Sequence, residues 1–215
     1  MPVPQDGAAL IEGRVAHKSS NALRIVFAGG PGESLATGIQ GAGDGLAAKT
    51  AVLFGFKNGG TGKHRLTYGN GDIVWVESKS RQPTEITRGD GSPVAKIERG
   101  ETSTALGPDG ATLLSFVPDP ADARTPDLFR ILLRTANEQE LGRLDVVRRA
   151  AGWSIADELW NTYIWWDHAG EPLPVPLLGT RLMLHTEPDP IVRDILLAAC
   201  VDITLGLRPY ISAMN

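Results

Sequence analysis

The chain has 215 residues, 42% of them hydrophobic and 21% charged, with a formal net charge of −4. That length suits one large domain or two small ones, and the balance is that of a globular protein. The acidic sum argues against bulk nucleic-acid binding, which needs a basic face, and the single cysteine, Cys200, excludes an internal disulfide or a cysteine zinc site.

The opening MPVPQDGAALIEG has neither a basic n-region nor an apolar h-region, so no secretory signal is expected. Together with the unpaired cysteine this points to the reducing cytoplasm. Arg outnumbers Lys beside many Ala and Gly, as in a GC-rich bacterial source. The 25 Gly and 15 Pro imply many turns and lean the fold towards β structure.

Taken in order, Ala22 to Ala28 and Thr50 to Lys57 are β-branched and aromatic runs closed by glycines, and read as strands. His64 to Tyr68 and Asp72 to Glu77 flank Gly69-Asn70-Gly71, a hairpin turn. Thr84 to Thr87, Val94 to Glu98, Thr102 to Leu106 and Thr112 to Val117 follow at short spacing. Asp-Gly pairs at 90–91 and 109–110 mark two of the turns. Pro118 to Asp127 is a polar surface loop. Phe129 to Thr135 and Arg143 to Arg148 continue the pattern, with Asn137 to Glu140 as their turn. Ala151 to Asp167 suits a short helix and then a strand from Asn161, and Gly179 to His185 is the last strand.

The closing PDPIVRDILLAACVDITLG is the most apolar stretch. Pro190 suits a first helical position, Asp189 caps the free N–H groups, and Asp194 is near enough to favour the positive end of the dipole. Gly206 and Pro209 end the helix, which therefore spans Pro190 to Leu205. Its aliphatic residues point all round the axis, the signature of a buried helix. A transmembrane span is rejected, because Arg193, Asp194 and Asp202 interrupt the run and each costs roughly 2.5–3.5 kcal/mol at mid-bilayer. Cys200 lies on this helix and reads as an inert packing residue.

The expected fold is mainly β: an antiparallel barrel of about 10–12 strands wrapped round the buried C-terminal helix. Closure also removes the sheet edges. The chain reads as a single domain, in which the Gly-rich residues 1–80 supply either the first strands or an appendage.

The hairpins ITRGDGSPVAKIERG and TALGPDGATLLSF, the segment LFRILLRTANEQELGRLDVVRR and the closing helix resemble a known superfamily. It holds the tubby C-terminal domains, the phospholipid scramblases and the LURP-one-related proteins. The resemblance covers roughly residues 83–215. It implies a twelve-stranded barrel round a central C-terminal helix, and it brings no catalytic motif.

Chemical motifs are scarce. Gly59-Gly-Thr-Gly-Lys63 is no phosphate loop, because the early glycine is Lys57 and the residue after Lys63 is His64. Gly41 to Gly45 fails the dinucleotide fingerprint at Leu46. His17, His64, His168 and His185 have no metal spacing, and Asp119, Asp122 and Asp127 form no EF-hand loop. No serine sits in a nucleophile elbow. No catalytic residue, metal or cofactor is assigned.

Charge is distributed unevenly. Residues 49–99 hold nine basic side chains against five acidic ones, inside a chain of net −4. The expected function is a non-enzymatic, scramblase-like or tubby-like module that contacts an anionic phospholipid headgroup or a phosphorylated ligand, peripherally at the inner face of the membrane. Lys57, Lys63, His64 and Arg65, close to a glycine-rich tip, are its expected anion-binding residues. Four of the five tryptophans cluster between 153 and 166. The alternative is therefore a protein-interaction or assembly module with Trp160, Trp165 and Trp166 as the partner surface. A small-molecule enzyme with its site at a barrel mouth is a second alternative.

Overall fold

A computed structural model describes residues 9–17, 23–30, 33–40, 62–79, 82–119, 128–148 and 178–204. The strands are β1 (Ala9–His17), β2 (Leu23–Gly30), β3 (Glu33–Gln40), β4 (Gly62–Tyr68), β5 (Ile73–Ser78) and β6 (Thr84–Arg88). They continue as β7 (Pro93–Glu98), β8 (Ser103–Leu106), β9 (Thr112–Pro118), β10 (Leu128–Thr135), β11 (Glu140–Arg148) and β12 (Leu178–Leu184), followed by the helix α1 (Pro190–Thr204). Each strand pairs antiparallel with its sequence neighbour. β1 also pairs with β12, Ile11 opposite Leu182, and closes the barrel.

The hairpins form for a local reason. At three turns an Asn or Asp is followed by a glycine with positive φ: Gly71 at 91°, Gly91 at 87° and Gly110 at 82°. In each, the Asn or Asp carboxyl or amide oxygen accepts the backbone N–H two residues on, from Asp72, Ser92 and Ala111, at 2.8–3.0 Å. Such turns reverse the chain over a few residues and set the strand register.

The barrel interior explains the helix. An eight-stranded barrel is filled by its own inward side chains, but twelve strands leave room for more. A helix about 10 Å across occupies that space. Ile195, Leu196, Leu197, Ala198, Ala199, Cys200, Val201 and Ile203 are all at or below 1% exposure, so no side of α1 faces water. They meet Ile25, Phe27, Leu66, Val76, Ile86, Ile97, Leu114, Phe116, Ile131, Leu133 and Leu144 from the wall. Only the first turn emerges, with Ile191 44% exposed. Asp189 caps that turn, its Oδ1 accepting the N–H groups of Ile191 at 2.9 Å and Val192 at 3.0 Å.

At Gly38 the wall comes close to the helix. A Cβ there would lie 2.6 Å from a methyl of Val201 and 2.7 Å from one of Ile25. β3 must therefore be thin at that point.

Burial pushes the Cys200 thiol up to about 12. It should resist a thiol reagent such as DTNB at pH 8 in the folded protein and react fully once denatured. Rapid native labelling would mean that the helix leaves the barrel readily.

The sequence expectations hold for most strands to within a residue or two. β1 and β3 were not anticipated. Both lie in the Gly-rich N-terminal part, whose described strands, β1 to β5, are staves of the barrel. The strand expected at Thr50 to Lys57 and the helix and strand expected within Ala151 to Asp167 lie outside the described residues.

Candidate functional site

The β4 segment, GKHRLTY, alternates strictly across the wall. His64, Leu66 and Tyr68 point inwards and are buried, so Lys63, Arg65 and Thr67 must face out, because successive strand side chains take opposite faces. On β5, Val74 and Val76 go inside, which leaves Trp75 on the outer face beside the two cations.

The register fixes their geometry. Arg65 is directly opposite Trp75, and Lys63 is opposite Glu77. Lys63 Nζ lies 4.8 Å from the centroid of the Trp75 ring, a cation–π contact worth about 0.5–1 kcal/mol at an exposed site. Trp75 in turn faces Thr87 of β6, and Arg65 faces Ile39 of β3. The outer wall thus carries one indole ringed by two cations, the Glu77 carboxylate, threonine hydroxyls and aliphatic carbon.

Much of the basic excess seen in the sequence is spent inside the molecule. Lys79 pairs with Glu77 at 3.1 Å, and that hydrogen bond raises its pKa. Lys96 pairs with Glu98 at 2.9 Å. Arg99 turns to Asp202. On the far wall, Arg130 and Arg143 converge on the buried Asp145 at 2.9 and 3.7 Å. Lys63 and Arg65 make no ion pair with an acidic side chain among the described residues. Both stand on the outer face, where an external anion can reach them.

Two polar clusters lie where α1 meets the barrel ends. Near its start, the Tyr68 hydroxyl donates to Asp194 Oδ1 at 2.5 Å. Burial, and then the neighbouring carboxylate, hold that phenol far above its ordinary pKa. The Arg193 guanidinium stacks on the Tyr68 ring at 4.5 Å and comes within 3.6 Å of Asp194. Beside it is a cavity of about 300 Å3, lined by Ser34, Leu35, Tyr68, Gly69, Asn70 and Arg193.

At the other end, the wholly buried Asp202 accepts hydrogen bonds from Ser78 and from Thr84, the latter at 2.7 Å. Arg99 reaches the same carboxylate at 3.6 Å and donates to the Thr84 hydroxyl at 2.5 Å. These groups bond to one another, and Ser78, Thr84 and Asp202 are closed to solvent. The arrangement fastens a charged residue inside the barrel and leaves these three side chains unavailable to a substrate.

No protein-family model, no curated protein and no solved structure matches the chain. No helix among the described residues is long and apolar enough to cross a membrane.

Of the anion-binding residues expected from the sequence, the fold brings Lys63 and Arg65 together on one exposed face. It places His64 on the opposite side of the wall, 1% exposed, because the pleat reverses at every residue. His64 therefore belongs to the interior and is removed from the set. Lys57, Trp160, Trp165 and Trp166 lie outside the described residues. Trp75 was overlooked, although the signal was present: in IVWVES the flanking valines claim the inner face and send the indole outwards.

Proposed function

We propose that this chain is a tubby-like or scramblase-like, non-enzymatic binding module that contacts anionic phospholipid headgroups from the cytoplasmic side of a membrane. The observation that carries the reading is the pair Lys63 and Arg65, exposed side by side on the outer wall and in no ion pair with an acidic side chain among the described residues. Two cations held about two residues apart on a rigid strand offer a preformed seat for phosphate, and each adds about 1 kcal/mol near an anionic surface. The sequence resemblance supports the same class of ligand. Translocation of lipid is not part of the proposal.

Vesicle co-sedimentation tests it. The protein should pellet with phosphatidylserine-containing vesicles at low salt and stay in solution with neutral phosphatidylcholine. Binding should weaken at physiological ionic strength, where the screening length is about 8 Å. Changing Lys63 and Arg65 together to Ala should lower the partition coefficient about thirtyfold, from two contributions of about 1 kcal/mol. Indifference to acidic lipid at low salt would remove the headgroup reading and leave the tryptophan-rich segment around Trp160 and Trp166 as the partner surface.

A further inference from the structure

Resting on the headgroup reading, we infer that Trp75 is the membrane anchor of this protein and that the barrel docks side-on, through the β4–β5 wall.

Three features of the wall lead there. Trp75 is partly exposed on the outer face although it is the largest side chain on β5, and the core has no claim on it, because Val74 and Val76 already fill the inner positions. Its surroundings are graded like a bilayer interface. Ile39 and Ile73 are partly exposed on the same face, and Thr37, Thr67 and Thr87 stand among them. The outward side chains of β4 to β6 carry Lys63 and Arg65 with Glu77 and Glu85, and Glu77 is taken up by Lys79 at 3.1 Å just beyond β5, which leaves Lys63 and Arg65 outside any ion pair among the described residues.

Indole rings concentrate at the headgroup level of membranes because they join an apolar body to one polar N–H. Here the ring is already covered by an ammonium, with Lys63 Nζ 4.8 Å from its centroid. On docking, that ammonium and the Arg65 guanidinium turn to lipid phosphates while the indole enters the layer between them. The cations supply attraction to acidic lipid. Trp75 supplies the contact that salt does not screen, and it sets which wall faces the membrane.

The experiment uses the full chain with vesicles of phosphatidylserine and phosphatidylcholine, with and without bromine on the acyl chains. Three variants are compared with wild type: Trp75→Ala, Trp75→Phe and, as a control on the same face, Thr87→Ala. Trp75→Ala should bind about tenfold more weakly, in line with the loss of a half-buried indole, and should leave the salt dependence unchanged. Thr87→Ala should bind as wild type. Brominated lipid should quench wild-type fluorescence, and the quenched portion should vanish in Trp75→Phe, which keeps a ring in place and guards against a folding defect in the alanine variant. If wild type binds acidic vesicles but Trp75→Ala binds equally well, or Trp75→Phe is quenched as much as wild type, another surface docks. The anchor is then wrong while the headgroup reading stands. If wild type ignores acidic vesicles at low salt, both fall.

Discussion

Asp202→Ala should lower the unfolding free energy by about 3–5 kcal/mol, the range for breaking a buried, hydrogen-bonded charge pair on one side. The carboxylate is wholly buried and holds Ser78, Thr84 and Arg99 at the end of α1. Its removal strands a guanidinium that is only 19% exposed and two hydroxyls that have given up water. For a domain of this size the change corresponds to a fall of roughly 10 °C in Tm. Chemical denaturation read by circular dichroism would measure it. Adding Arg99→Leu to Asp202→Ala should recover part of the loss, since the orphaned charge goes too, and a double-mutant cycle isolates that coupling. A cost below about 1 kcal/mol for Asp202→Ala would mean that the network does not hold the helix.

Leu197→Asp should abolish the native fold. Leu197 sits in the middle of α1 at 0% exposure, within the apolar core. A carboxylate there is placed among apolar side chains, and a poorly compensated buried charge can cost as much as the roughly 5–15 kcal/mol that holds a domain together. Leu197→Ala is the milder companion. It should cost about 2–5 kcal/mol, through lost apolar burial and the cavity left behind, and should stay folded. Near-ultraviolet circular dichroism and gel filtration separate the two outcomes. A soluble, native-like Leu197→Asp protein would refute a helix enclosed by the barrel.

The two substitutions probe one design from opposite sides. The middle of α1 is held by apolar burial, which is strong but has no direction. A purely greasy helix would slide and rotate within a smooth lumen. Asp194 and Asp202, eight residues apart along the helix, each meet their own hydroxyl partner on the wall and set depth and rotation. Burying them yields little net stability, and their value is in specifying one position.

On β4, residues that the sequence groups together are separated by the fold. Lys63, His64 and Arg65 are adjacent in the chain, so a count of charge and imidazole places them together. The pleat separates them, with Lys63 and Arg65 outside and His64 within. Period-two alternation around Leu66 carries that information without any coordinates. Trp75 became visible as the companion of Arg65 only through cross-strand register, although its outward direction follows from Val74 and Val76.

By itself the sequence determined what depends on near neighbours. The Asn- or Asp-led glycine turns at 70–72, 90–92 and 109–111 reverse the chain locally, and the alternation between them makes strands. Unbroken apolarity on every side of α1 already required an enclosure. β1 and β3 escaped notice because ALIEGRVAH and ESLATGIQ carry glycine and small residues where a strand usually shows β-branched ones. At Gly38 the reason lies far along the chain, on α1, where Val201 needs the space that a side chain would fill. Tertiary structure alone decided the rest: the pairing of β1 with β12, and the meetings of Tyr68 with Asp194 and Ser78 with Asp202, 126 and 124 residues apart. Such partners are chosen by barrel closure, which brings together positions that share no local pattern, and their chemistry becomes readable only once the wall has curled round the helix.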